Sequence, residues 1–86
     1  MKLLYLTKQA LLLVNKDKRS ECIERYNLQN KNKKEQLNSV VNLVNFLIEN
    51  NNAEFIEEVS EYEQYEEYNK QCMFILQLVY KTLSIM

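Results

Sequence analysis

The sequence predicts an all-α protein, a small three- or four-helix bundle with self-association as one way to complete it. Two observations predict this fold class: the 86 residues include neither glycine nor proline, and apolar side chains recur at helical spacing. Tight β-hairpin turns usually need glycine, whereas asparagine can form helix-to-helix loops. Eleven asparagines are present, and we expect loops at 27–32 and 50–52 within one domain covering residues 1–86.

The first helical segment is expected over about residues 2–28. Its apolar face is wide, and consists of Leu3, Leu4, Ala10, Leu11, Leu13 and Val14. The charged stretch 15–19 contains no strict helix breaker. We therefore expect the helix to continue through this stretch, with a weak point at 15–17 where it would break.

The middle segment, residues 33–50, is rich in valine but has the period of a helix. Its polar positions are spaced four, three and four residues apart, at Asn38, Asn42, Asn45 and Glu49. The opposite side holds Leu37, Val40, Val41, Val44, Leu47 and Ile48. In a strand, Asn42 and Asn45 would lie on opposite faces. The pattern predicts a helix with Leu47 in the core, and Asn32 with Glu35 resembles a capping box at its start.

The third helical pattern extends over about residues 53–84. Asn51 and Glu54 have capping-box spacing, and the expected inner stripe is Phe55, Ile56, Val59 and Tyr62. The pattern either bends near 68–71, giving four helices of similar length, or continues straight and packs its overhang on a second copy of the chain. Residues 73–85 are apolar around most of the helix, which is typical of a central bundle helix or of a subunit interface.

The composition excludes several classes of function. Without glycine there is no phosphate-binding glycine loop, dinucleotide fingerprint or nucleophile elbow. Without histidine the commonest general base and metal ligand are missing. Cys22 and Cys72 lack metal-type spacing, so we expect buried free thiols. We expect no enzymatic activity, no cofactor and no metal.

No segment of the sequence indicates a membrane protein or a secreted one. The apolar stretch 3–14 is interrupted by Lys8 and Gln9 and lacks a cleavage site. The C-terminal apolar run is shorter than the ~20 residues that a bilayer span needs. A cytoplasmic location without membrane contact is expected.

Charge is divided between the two halves of the sequence. Residues 1–34 hold nine basic and three acidic residues, or +6, and residues 35–86 hold two and nine, or −7. The halves could fold on each other, pair between copies, or meet an outside partner. The basic residues that could bind nucleic acid are Lys16, Lys18, Arg19, Arg25, Lys31, Lys33 and Lys34.

An acidic segment with interleaved tyrosines is the most unusual feature of the sequence. The predicted partner-binding residues are Glu54, Glu57, Glu58, Glu61, Tyr62, Tyr65, Glu66 and Tyr68. Tyrosine is enriched at protein interfaces. The leading hypothesis is a non-enzymatic, self-associating interaction module that regulates or inhibits a protein partner through this segment. The alternatives are a nucleic-acid-associated protein that uses the basic half, and a purely structural homo-oligomer subunit.

Overall fold

The structure is a computed structural model that describes residues 5–50 and 62–85. Every regular element in these residues is helical, which confirms the predicted all-α fold class. In chain order the elements are α1 (Tyr5–Leu12), a 3-10 helix (Lys16–Lys18), α2 (Arg19–Arg25), α3 (Lys33–Asn50) and α4 (Tyr62–Ser84).

The hydrophobic core lies where α1, α3 and α4 contact one another pairwise. Each helix turns one apolar side inward, as expected when helices bury a stripe against their neighbours. The buried apolar residues are Ala10, Leu11, Val14, Cys22, Leu28, Leu37, Val40, Leu43, Val44, Leu47, Tyr68, Cys72, Ile75, Leu76 and Val79. The core therefore draws on all four α-helices as well as on the loops that follow α1 and α2.

Helix α3 follows the predicted periodicity closely. The predicted inner positions are buried or half-buried, and Asn38, Asn42 and Glu49 are exposed. Leu47 has 1% of its surface exposed, so its predicted place in the core is confirmed. The sequence analysis omitted Leu43, which is fully buried and lies three residues after Val40 and four before Leu47, on the same side of the helix.

The segment predicted as one helix over residues 2–28 is interrupted. Helix α1 ends at Leu12, and α2 begins at Arg19 after the 3-10 turn, so the predicted weak point at 15–17 is a real break. The Arg19 Nε donates to the carbonyl oxygens of Leu11, at 2.8 Å, and Val14, at 3.0 Å. Because a helix end leaves its last carbonyls without intrahelical partners, this contact lets α1 stop here.

The end of α2 shows why asparagine can replace glycine in this chain. Asn27 has φ 54°, in the left-handed region that glycine usually occupies. The Asn27 N–H donates to the Glu24 carbonyl, and the Leu28 N–H to the Ile23 carbonyl, at 3.3 and 2.9 Å. This is a Schellman motif, and it turns the Leu28 side chain into the core.

The start of α3 is capped by two asparagines rather than by the predicted reciprocal box. Asn32 Oδ1 accepts from the Glu35 N–H at 3.1 Å, as a capping box requires. The Glu35 carboxylate, however, accepts from the Asn30 amide, and Asn30 Oδ1 accepts from the Asn32 N–H. One half of the predicted box is therefore present, and Asn30 takes over the other half.

Helix α4 is continuous through residues 68–71, so of the two alternatives, a bend or a straight helix, the structure has the straight one. No glycine or proline interrupts the segment, and Tyr68 and Cys72 are buried one turn apart on the same side. With 23 residues, α4 is about 34 Å long, against about 27 Å for the 18 residues of α3. The predicted Asn51 and Glu54 cap and the stripe of Phe55, Ile56 and Val59 lie outside the described residues.

The C-terminal part of α4 is not the central helix of the bundle. Its apolar side chains occupy more than one side, but Met73, Phe74 and Tyr80 are each at least half exposed. A central position in the bundle therefore does not explain why this helix is apolar on most sides. A subunit interface, the other explanation, stays a prediction.

Candidate protein-interaction site

An apolar groove opens at the surface between α1 and α4, and we call it the α1–α4 groove. It has a volume of about 240 Å³. Its walls are formed by Tyr5, Leu6, Gln9, Leu12, Leu13, Gln71, Phe74, Ile75 and Leu78. None of these side chains is an acid or a base of the Asp, Glu, Lys or Arg type, and the polar groups are the Gln9 and Gln71 amides and the Tyr5 hydroxyl. The groove therefore offers apolar contact with three hydrogen-bonding groups and no ionic site.

Three large side chains stand exposed at the groove: Tyr5, Leu12 and Phe74 are 70%, 56% and 57% exposed. Tyr5 and Leu12 are seven residues apart, nearly two helical turns, so they lie on one side of α1. The buried side of α1 is formed by Ala10 and Leu11 together with Thr7. The outer side of α1 therefore carries two exposed apolar side chains, Tyr5 and Leu12, beside the polar Lys8 and Gln9.

The shape of the groove is held by contacts beneath it. The Tyr68 hydroxyl donates to the Leu13 carbonyl at 3.0 Å, which fixes the end of α1 against α4. Arg19 holds the neighbouring carbonyls of Leu11 and Val14. Because these bonds hold carbonyls at and just after the end of α1, the two walls keep a fixed relative position.

Tyr68 was predicted to bind a partner, and this prediction is wrong. Its side chain is 7% exposed, and its hydroxyl is bonded within the chain. Burial, and then the neighbouring Cys72 thiol, raise the pKa of Tyr68 far above its ordinary value. The tyrosine spacing suggested a surface stripe, but a buried tyrosine is stable where a backbone carbonyl accepts its hydroxyl.

The two thiols are free and buried, as predicted. Burial raises the pKa of Cys72 from 9.0 to about 11, and the hydrogen bond with Tyr68 offsets only part of that effect. Burial raises the pKa of Cys22 as well, and the nearby Glu21 carboxylate adds to the increase. Since the thiolate is the nucleophilic form, both groups are poor nucleophiles near neutral pH.

The remainder of the predicted acidic surface is described only in part. Glu54, Glu57, Glu58 and Glu61 lie outside the described residues. Tyr62, Tyr65 and Glu66 fall in the first turns of α4, and their side chains are also outside the described part of the chain. This surface stays a prediction.

The predicted nucleic-acid-binding residues serve different purposes in the fold. Arg19 bonds the end of α1, and the Arg25 guanidinium lies 5.7 Å from the centre of the Phe46 ring. Lys18 Nζ lies 4.0 Å from Glu21 Oε2. The exposed members are Lys16 on the 3-10 helix, Arg25 at the end of α2, and Lys31, Lys33 and Lys34 around the start of α3. Both arginines of the set are thus engaged in intramolecular contacts.

The described residues contain neither a membrane-spanning helix nor a cluster of metal ligands. Within residues 5–50 and 62–85, no helix has both the length and the apolar content needed to cross a bilayer. In the same residues, no three cysteine or acidic side chains gather into a group that could hold a metal ion. The α1–α4 groove is an apolar candidate site in the described residues, whereas a hollow lined by Ser20, Ile23, Glu24, Asn27 and Gln29 is mostly polar.

The groove was not predicted from the sequence. The stretch after residue 72 is apolar around the whole helix, and this pattern could have indicated that Phe74 and Leu78 lie at a binding surface. Leu12 gave a comparable signal, because it lies outside the predicted apolar face of the first helix. Neither signal distinguishes a second buried side from an exposed one.

The fold and the groove together define a class: a small all-α protein with an uncovered apolar surface between its first and last helices. No protein-family model, curated protein or solved structure matches the chain. The α1–α4 groove is therefore the feature on which a proposed function rests.

Proposed function

We propose that this protein is a non-enzymatic interaction module that binds an amphipathic helix of a protein partner in the α1–α4 groove. It would regulate or inhibit that partner by occupying its surface. The observation that carries the proposal is the exposure of Tyr5, Leu12 and Phe74 around one uncharged groove. Contiguous exposed apolar surface is typical of interaction sites, and a groove between two helices suits a third helix.

Covering the groove would contribute favourable burial energy to binding. Full burial of a large apolar side chain contributes about 1.5–3 kcal/mol. Phe74, Leu12 and Tyr5 are each more than half exposed, so covering them would contribute about 1 kcal/mol apiece. The half-buried walls at Leu6, Leu13 and Leu78 add to this sum.

The chemistry of the chain supports binding rather than catalysis. It has no histidine, and both of its thiols have raised pKa values. The glutamines of the groove can donate and accept hydrogen bonds but do not titrate. This donor set can orient a helix in the groove, and it supplies no general base.

Site-specific photo-crosslinking tests the proposal. A benzophenone amino acid replaces Phe74 in the cells that produce the protein, and the matched control places it at Asn69, which is exposed on the same helix. We expect an adduct from position 74 whose crosslinked peptide, identified by mass spectrometry, belongs to an amphipathic helix. Equal or absent crosslinking at the two positions would contradict the proposal.

A further inference from the structure

A stripe with coiled-coil spacing runs along the outer side of α4 and forms one wall of the groove. Successive members are four, three, four, three and four residues apart, which keeps them on one side of a helix. They are Glu67, Gln71, Phe74, Leu78, Lys81 and Ile85. All are exposed except Leu78, which is half-buried. Phe74, Leu78 and Ile85 are the apolar members, and they give this side of the helix a short apolar seam flanked by polar residues.

The charges in this stripe are arranged symmetrically about Phe74. Glu67 lies seven residues before Phe74, and Lys81 lies seven residues after it. Neither forms an ion pair with another residue in the described ranges. When two such helices lie antiparallel and are centred on Phe74, each Glu67 stands opposite the partner's Lys81. A two-fold interface requires this kind of self-complementary surface.

We propose that the occupant of the α1–α4 groove is helix α4 of a second copy of the chain, running antiparallel to the first. The inference rests on the proposed function, because it takes the groove and the helical occupant from there and names the partner. Phe74 would lie at the two-fold axis, with Tyr5 and Leu12 of α1 beside the incoming helix. The Glu67 and Lys81 pairs would fix its direction and register.

The size of the surface indicates a reversible dimer. Helix α4 is about 34 Å long and α1 about 12 Å, and a helix is about 10 Å wide, so the two present about 450 Å² of projected surface. A standard interface buries about 800 Å² of accessible surface on each partner. The dimer therefore lies at the small end of the range, and we expect a dissociation constant in the micromolar range.

The first test is sedimentation of the purified full chain from about 1 to about 200 µM. The mass should rise from one chain to two across this range. Phe74→Glu should raise the dissociation constant at least about 30-fold, the effect expected of a central contact residue. Met73→Glu is the matched control, because Met73 is 50% exposed and points about 100° away around α4. It should leave the dimer unchanged.

The second test reverses the charges on the stripe. Glu67→Lys and Lys81→Glu should each weaken the dimer, because each places two like-charged pairs across the axis. The double variant Glu67→Lys/Lys81→Glu should restore it. Glu49→Lys, on the exposed side of α3, changes the net charge by the same amount as Glu67→Lys but lies away from the stripe, so it should have little effect on the dimer. All of these positions are exposed, so the variants should keep the circular dichroism of the parent protein.

The outcomes separate this inference from the proposed function. A single-chain mass at every concentration, a dimer that depends on Met73 instead of Phe74, or no rescue by the double variant would each overturn the antiparallel dimer. An adduct between position 74 and a helix of another protein would then still support the proposed function. A dimer with the expected variant pattern, together with an adduct between position 74 and α4 of a second copy, would support both.

Discussion

Helices α3 and α4 are both long and both supply the core, but they differ in how their apolar side chains are covered. The wholly buried apolar residues of α3 lie on one side, and its opposite side is polar, with Asn38, Asn42 and Glu49 exposed. Helix α4 buries Cys72 and Val79 but leaves Phe74 half exposed. The contacts within one chain bury the large apolar side chains of α3 but leave several apolar side chains of α4 exposed to solvent. This uncovered apolar surface of α4 is the surface that the proposed partner helix would cover.

The largest expected effect concerns the buried side of α3. Leu47→Ala removes a side chain that is 1% exposed and should cost ~2–5 kcal/mol in the free energy of unfolding. Phe74→Ala on the exposed side of α4 should cost less than about 1 kcal/mol in the monomer. Urea denaturation at low protein concentration measures both. Equal costs would mean that the two helices do not differ as described.

The second effect concerns a buried hydrogen bond at the start of α3. The buried Gln36 side chain donates to the Leu28 carbonyl. Gln36→Ala would leave that carbonyl without its donor and should cost about 1–3 kcal/mol. Asn38→Ala on the exposed side of the same helix is the control, with an expected change within about 0.5 kcal/mol. Because alanine has a higher helix propensity than either residue, propensity cannot account for a loss of stability, and an equal cost for the control would contradict the role of the buried bond.

The third effect concerns the buried side of α4 and depends on pH. The pKa of Cys72 is about 11 in the folded chain and about 9 when the thiol is exposed. Between these values the unfolded chain loses a proton that the folded chain keeps, so the free energy of unfolding falls as pH rises from 9 to 11. The expected contribution is roughly 1–2 kcal/mol. Cys72→Ala should flatten the decrease in this window, and an unchanged slope would contradict the assignment.

The smallest effect is a gain in stability, and it concerns α1, the other wall of the groove. The buried Thr7 hydroxyl has no hydrogen-bond partner among the described residues. Thr7→Val removes this polar group at nearly constant shape and should raise the free energy of unfolding by about 1 kcal/mol. Thr82→Val, which removes a hydroxyl bonded to the Leu78 carbonyl at 2.8 Å, should give no gain. Destabilisation by Thr7→Val would mean that the hydroxyl has a partner.

The sequence predicted the features that depend on local periodicity. The polar spacing of α3, the loop asparagines and the weak point at 15–17 all follow from residues close together in the chain. Asn27 could be predicted to end a helix because few residues tolerate a positive φ. The fold class was accessible for the same reason.

Features that depend on distant contacts could not be predicted. Tyr68 and Leu13 are 55 residues apart, and only the packing of α1 on α4 brings the hydroxyl to the carbonyl. The continuity of α4 was equally open, because its sequence suited either a bend or a straight helix. The groove was hidden because an apolar side chain such as Phe74 has the same sequence signature whether a neighbour covers it or not.

The Arg19 bonds also make two helices depend on each other. One guanidinium at the first residue of α2 bonds the Leu11 carbonyl near the end of α1 and the Val14 carbonyl just after it, so unwinding the start of α2 would break both bonds. The two short helices should therefore open together in native-state hydrogen exchange, as one cooperative unit. A change that destabilises α2 would therefore also destabilise α1, which carries Tyr5 and Leu12, and would change the affinity of the groove for its partner.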